Sequence, residues 1–144
     1  MLEIGATFEG YVIEELLGTG GMSHVYRALD LRQERPVALK ILRTDVPGSE
    51  EFGQLLEQEA KVAQVIQSPY VVQVWKCDIT SDIPFIAMEY VEGSSLTPAA
   101  LSLPLSTQLG LALEIAYGIQ AAHKAGLIHR DLKPENIRLT SEGH

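Results

Sequence analysis

Residues 126–136 read GLIHRDLKPEN. An apolar run ends at a glycine, and His129, Arg130, Asp131, Lys133, Glu135 and Asn136 then crowd around a single proline. A solvated turn after a helix does not explain that order of residues. Upstream, Ser106 to Ala125 carries apolar side chains at helical spacing, and Gly126 is the expected stop. Before it, EGSSLTPAALSLP (92–104) has the Gly, Ser and Pro content of a linker. Downstream, IRLTSEGH (137–144) reads as a strand running into a turn, with its pairing strand missing from the sequence.

The first half of the chain alternates as strands do. YVIEELLG (11–18) and SHVYRALD (23–30) flank the glycine-rich GTGG, which predicts two antiparallel strands joined by a flexible turn. RPVALKILR (35–43) is a third strand, VVQVWKCDI (71–79) and IPFIAMEYV (83–91) two more. Between them Ser49, followed by Glu50 and Glu51, opens a helix expected to run over 50–67 and to stop at SPY. The order is β-β-β-α-β-β, linker, α, loop, strand.

Composition narrows the function classes. An apolar share of 46% and a charged share of 21% are those of a globular domain. A net charge of −8 argues against a nucleic-acid surface, which needs clustered Lys and Arg. Cys77 is the only cysteine, so neither an internal disulfide nor a cysteine zinc cage can form, and a small buried or half-buried thiol is expected there. The N-terminus lacks the plan of a signal peptide. The most apolar helical stretch, LGLALEIAYGIQAA, carries Glu114 and is 14 residues long, too short for a bilayer. These features predict a cytoplasmic chain with no membrane segment.

Two charges stand where charges are not expected. In PVALKIL, Val37, Leu39 and Ile41 share one strand face and Ala38, Lys40 and Leu42 the other, so Lys40 is the lone charge. In the first helix, Phe52, Leu55, Leu56, Val62, Ala63 and Ile66 form a stripe with Glu59 inside it. Taken singly, Lys40 can reach water along its own stem and Glu59 can sit at the stripe's edge. Taken together, an acid and a base that both face a core are better explained by pairing. The glycine turn is weak evidence alone. It lets backbone N–H groups approach phosphate oxygens, but it lacks the Gly-Lys-Ser/Thr of a P-loop and the following helix of a dinucleotide fingerprint.

Taken in order, these pieces resemble the serine/threonine protein kinases, in wording most like the bacterial kinases of eukaryotic type. GTGGMSHVY resembles the loop over the ATP phosphates, VALK the third-strand lysine motif, Glu59 the helix glutamate, and HRDLKPEN the catalytic loop without a mismatch. The spacings between these motifs agree with the family, and the resemblance runs over residues 8–144. It implies an α+β, protein-kinase-like fold: a five-stranded antiparallel N-lobe sheet with one regulatory helix, then the first part of a helical C-lobe. On that pattern residues 1–10 are a leader, 11–91 the N-lobe and hinge, and 92–144 the start of the C-lobe.

The resemblance also implies roles, with ATP and Mg2+ as cofactors and a protein bearing a Ser or Thr acceptor as substrate. Leu17, Gly18, Thr19, Gly20, Gly21, Met22, Ser23, His24 and Val25 would cover the triphosphate, with Val25 and Ala38 above the adenine. Lys40 would contact the α- and β-phosphates, held by Glu59. Met88 would be the gatekeeper, and Glu89 to Val91 the hinge whose backbone hydrogen-bonds adenine. Asp131 would accept the proton of the substrate hydroxyl, Lys133 would steady the phosphoryl group, and Asn136 would ligate magnesium. His129 would be structural.

The sequence departs from the family at three places. Ser23 replaces the third glycine of the loop. Arg138 stands where the family has an apolar side chain beneath the adenine, and must fold aside or stack on a ring. The family's Asp-Phe-Gly motif and activation loop do not occur. The expectation is therefore a fragment of a kinase, inactive by itself, whose second helix exposes Leu109, Leu113, Ala116 and Ile119 to self-association or a partner. The rival expectation is a non-catalytic kinase-like module that binds nucleotide or a partner.

Overall fold

The computed structural model describes residues 1–96 and 102–144, without the side chains of 49–52. Linker residues 97–101 and the side chain of Phe52 therefore lie outside the described residues. The chain forms two compact units, one from residues 1–64 and 73–90, the other from 65–72 and 91–144.

The first unit is built on one antiparallel sheet. Its strands are β1 (Thr7–Phe8), β2 (Tyr11–Thr19), β3 (Ser23–Asp30), β4 (Arg35–Leu42), β5 (Val74–Asp78) and β6 (Phe85–Glu89), in the order β1-β2-β3-β4-β6-β5. The five expected strands are present, shorter at β5 and β6 than the alternation suggested. Pro84 offers no N–H to the ladder but accepts from Leu42 N–H at 2.9 Å, so β6 starts after it. The sixth strand, β1, falls inside the expected leader. It returns into β2 through Glu9 and Gly10, both at positive φ (51° and 90°), a two-residue hairpin turn whose twist matches the strands.

Alternation divides the sheet into a core face and a second face. Residues directly opposite across antiparallel strands share a face. Tyr26 opposite Leu39, Leu39 opposite Ala87, and Ile41 opposite Phe85 lie on the core face with Tyr11, Ile13, Ala28 and Val37. Tyr26, Phe85, Ile13, Leu39 and Val37 are the largest fully buried side chains. Each contributes about 1.5–3 kcal/mol by leaving water. Phe8 and Tyr11 meet the Phe85 ring edge-on at 5.2 and 5.9 Å.

Helix α1 (Ser49–Gln64) begins at the expected serine, packs beside β5 and stops three residues early. The Gln73 side-chain amide donates to the last carbonyl, Gln64 O, at 3.1 Å, while the Gln64 side chain donates to Trp75 O. These bonds satisfy groups that would otherwise continue the helix. The expected stripe holds in part: Ile66, just past the helix, is buried and Leu56, Val62 and Ala63 are half-buried, but Leu55 is exposed, and among the described residues of α1 the buried positions are Gly53 and Ala60. A Cβ on Gly53 would lie 3.8 Å from Leu42. Small residues form this seam, so a pattern sought in large apolar side chains misses it.

In the second unit α2 (Leu105–Lys124) ends in a Schellman motif. Leu127 N–H donates to Ala122 O, Gly126 N–H donates to His123 O, and Gly126 has φ 83°. Segment 65–72 packs on this helix, with Tyr70 stacked on Tyr117 at 6.0 Å and a Cβ on Gly118 only 2.6 Å from Tyr70 O. Leu109, Leu113 and Ala116 are exposed and Ile119 is half-buried. After the loop come a single 3-10 turn, Pro134–Asn136, and strand β8 (Arg138–Thr140).

The missing strand partner is a further correction. Strand β7 (Gly93–Ser95), inside the expected linker, pairs with β8, placing Ser95 opposite Arg138 and Gly93 opposite Thr140. A Gly-Ser-Ser run has no apolar alternation to betray a strand. Gly93 permits the pairing because it has φ 148° and because a Cβ there would fall 1.9 Å from Leu139 O.

Candidate active site

The sheet lines up the first group of predicted residues without any of them being neighbours in sequence. Gly18 lies opposite Val25 and Val25 opposite Lys40, one rung across β2, β3 and β4. Ala38 lies opposite Met88. These residues occupy the second face of the sheet, away from the core cluster, because each is one position out of phase with the buried set. Leu17 and Thr19 are exposed at the end of β2; Ser23 and His24 open β3. Gly20, Gly21 and Met22 make the turn, closed by Gly20 N–H donating to Ser23 O at 2.8 Å.

The turn's glycines are not demanded by the hairpin. None of Gly18, Gly20 and Gly21 has positive φ. A Cβ on Gly18 or Gly21 would meet nothing within 4 Å, and one on Gly20 would make ordinary contact with Ser23 O. The bare backbone leaves open space above this end of the sheet.

Lys40 is half-buried, and loss of water pushes its ammonium pKa below the ordinary 10.5; the Glu59 carboxylate partly opposes this. The expected pairing is thus a through-space coupling. Among the ion pairs of the described residues, none within 4 Å joins Lys40 to Glu59. Cys77 is half-buried, and burial pushes its thiol up.

At the end of β6, Met88 is half-buried and Glu89 exposed. Glu89 N–H donates to Gln73 O at 2.8 Å and is not available to a ligand. The Arg27 guanidinium lies 5.3 Å from the centre of the Tyr90 ring and pairs with Glu14 at 2.6 Å. Arg27 was not among the predicted residues. Counting two onward from Val25 puts it on the same strand face, which is the signal that would have found it.

The second group gathers in the loop after α2. Lys133 Nζ lies 2.9 Å from Asp131 Oδ2, and Asn136 Nδ2 donates to the same oxygen at 3.0 Å and to Asp131 O at 2.8 Å. The hydrogen bond from Lys133, then that from Asn136, holds the Asp131 carboxyl below the usual carboxylate range, and Asp131 in turn raises Lys133. Because both donors take Oδ2, Asp131 Oδ1 has no donor among the described residues. Arg130 holds φ 60°, a conformation uncommon for a side chain of its size. Asp131 N–H donates to His129 O, fixing the bend. His129 itself is exposed, not packed. The Arg138 side chain has folded aside: Nη2 donates to Gly93 O at 2.6 Å and to Val91 O at 3.4 Å.

Comparison with known proteins gives the family and the fold. The family model for the protein kinase domain matches residues 11–144. The chain is 38% identical over 136 residues to the probable serine/threonine-protein kinase CPE1738 of Clostridium perfringens, covering 92% of this chain and 20% of that protein. It is 35% identical to the serine/threonine-protein kinase PknL of Mycobacterium tuberculosis, covering 92% of this chain and 34% of that one. The solved kinase domain of M. tuberculosis PknI superposes with a TM-score of 0.83 at 30% identity, covering 99% of this chain and 59% of that domain. The chain therefore spans a fifth to a third of the length of these two curated relatives. With its motifs in order and its fold matched along nearly every residue, the chain belongs to the protein kinase domain family.

Proposed function

We propose that these residues form the nucleotide-binding sheet and catalytic loop of a bacterial protein serine/threonine kinase of the cytoplasm. That kinase moves the terminal phosphoryl group of ATP to a Ser or Thr hydroxyl. The observation that carries the reading is the rung Gly18–Val25–Lys40, with a half-buried ammonium that has no contact anion among the described residues. Such a charge is stabilised by a phosphate brought to it. Open space at the glycines fits the close approach of that phosphate.

In this reading Leu17 to Val25 lie over the triphosphate, and Val25, Ala38 and Met88 contact the base. Asn136 suits a magnesium ion, since its amide nitrogen is committed to Asp131 and its oxygen is left as the hard ligand. The metal, when bound, offsets charge on the phosphates. Asp131 stays ionised at neutral pH, and its free Oδ1 suits the hydroxyl proton of a substrate. Lys133, tied to Oδ2, keeps a positive charge beside the path of the phosphoryl group. The resemblance calls for a second metal ligand from Asp-Phe-Gly, which this sequence does not contain, so the 144 residues by themselves are proposed to be inactive.

The exposed apolar side chains Leu105, Leu109, Leu113 and Tyr117 favour a second reading, a kinase-like module that binds nucleotide or a partner without catalysis. Two measurements separate the readings. ATP with magnesium is expected to raise the melting temperature of the chain; no shift would sink the nucleotide site. In a version carrying the rest of the family's domain, Asp131→Asn is expected to lower kcat roughly a hundred- to ten-thousandfold with the thermal shift kept. A binding module would be indifferent to that change.

A further inference from the structure

We propose that Arg138 is a positioning residue of the nucleotide site. Its guanidinium holds the backbone from Val91 to Gly93 and through it sets how tightly the base is bound. This rests on the reading of Glu89 to Val91 as the hinge.

One nitrogen of Arg138 donates to two carbonyls two residues apart, Gly93 O at 2.6 Å and Val91 O at 3.4 Å. On an extended strand those oxygens would be about 6.6 Å apart, beyond the reach of one donor at these distances. The carbonyls of Val91 and Gly93 are therefore closer together than on an extended strand, and Gly93, at φ 148°, stands within that bend. The donor is fixed from the other side as well. Arg138 sits in β8 opposite Ser95, and Leu96 N–H donates to Ile137 O at 2.8 Å. Asn136, whose amide holds Asp131, is two residues upstream. One side chain thus ties the segment that receives the base to the strand that leaves the catalytic loop.

The contact also accounts for a charge at a position where the resemblance implies an apolar side chain. The guanidinium is satisfied by backbone carbonyls, and charged donors form the stronger class of such bonds. An apolar residue there would leave both carbonyls without this partner, and residues 91–93 would sample more conformations before a base arrives. That freedom must be lost on binding, so it weakens affinity.

The test is calorimetric binding of ATP and magnesium to the purified protein, with melting temperatures in parallel, for wild type, Arg138→Ala, Arg138→Lys and Lys40→Ala. Arg138→Ala is expected to raise the Kd for ATP roughly two- to tenfold, the range of one net hydrogen bond, with little change in Tm. Arg138→Lys, which can still donate to the same carbonyls, is expected to recover part of that loss. Wild-type affinity in Arg138→Ala, alongside lost affinity in Lys40→Ala, overturns the proposal and leaves the kinase reading intact. So does a loss that follows a fall in Tm and is not recovered by lysine. If wild type binds no ATP, the kinase reading and the proposal fail together.

Discussion

Lys40 is a residue from which water is withheld while, among the described residues, no anion within contact distance takes its place. Its pKa lies below 10.5 because burial disfavours the ammonium, and Glu59 is the largest opposing influence. Glu59→Gln should therefore lower the Lys40 pKa further, read by NMR titration of the side chain. An unchanged titration would show that Glu59 does not act on Lys40. The sign for stability follows from linkage. The folded state gives up this proton before the unfolded chain does, so stability rises with pH between the folded pKa and 10.5, and Glu59→Gln widens that window downward. The charge at residue 40 was legible in the sequence as an interruption of an apolar strand. That its partner acts from beyond 4 Å was not, because side-chain reach depends on where α1 sits.

At the scale of elements, two kinds of glycine behave oppositely. Gly93→Ala puts a Cβ within 1.9 Å of Leu139 O at a φ that side chains rarely adopt. It should break the β7–β8 pairing at a cost of about 1–3 kcal/mol or more, seen as lost hydrogen-exchange protection at Leu96 N–H. Gly21→Ala meets nothing within 4 Å. It should leave the melting temperature within about 2 °C of wild type. If Gly93→Ala kept the protection at Leu96, the account of β7 would be wrong. The sequence marked Gly18, Gly20 and Gly21 as special and passed over Gly93. Clustered glycines announce themselves, whereas the need for a single glycine arises from a strand 46 residues away in the chain.

For the whole molecule, the contrast lies between a sheet whose core face is dry and a helix that is packed at Gly118 and Ala122 but exposes several leucines. Leu109 is 63% exposed and Leu113 53%. Replacing both with Glu should change the unfolding free energy of the chain by less than about 1 kcal/mol, since little contact is lost. It should also reduce self-association, measured by sedimentation at rising concentration, because an exposed apolar stripe favours aggregation or docking. A large loss of stability would mean that these leucines are buried in solution. Among the described residues no helix is long and apolar enough to cross a membrane, so this face is not a membrane span.

The sequence by itself determined the strand faces, the first helix's start, the second helix with its glycine stop, and the identities of Lys40, Asp131, Lys133 and Asn136. These are set by local periodicity, capping chemistry and residue type, which need no distant contact. Only the tertiary structure decided that Gly93–Ser95 is a strand, that α1 packs through Gly53 and Ala60, that Asp131 keeps Oδ1 free, and that Arg138 turns to the carbonyls of Val91 and Gly93. Each of those depends on atoms brought together from separate parts of the chain. A short polar strand, a seam of small residues or a side-chain rotamer leaves no period in the sequence from which it can be read.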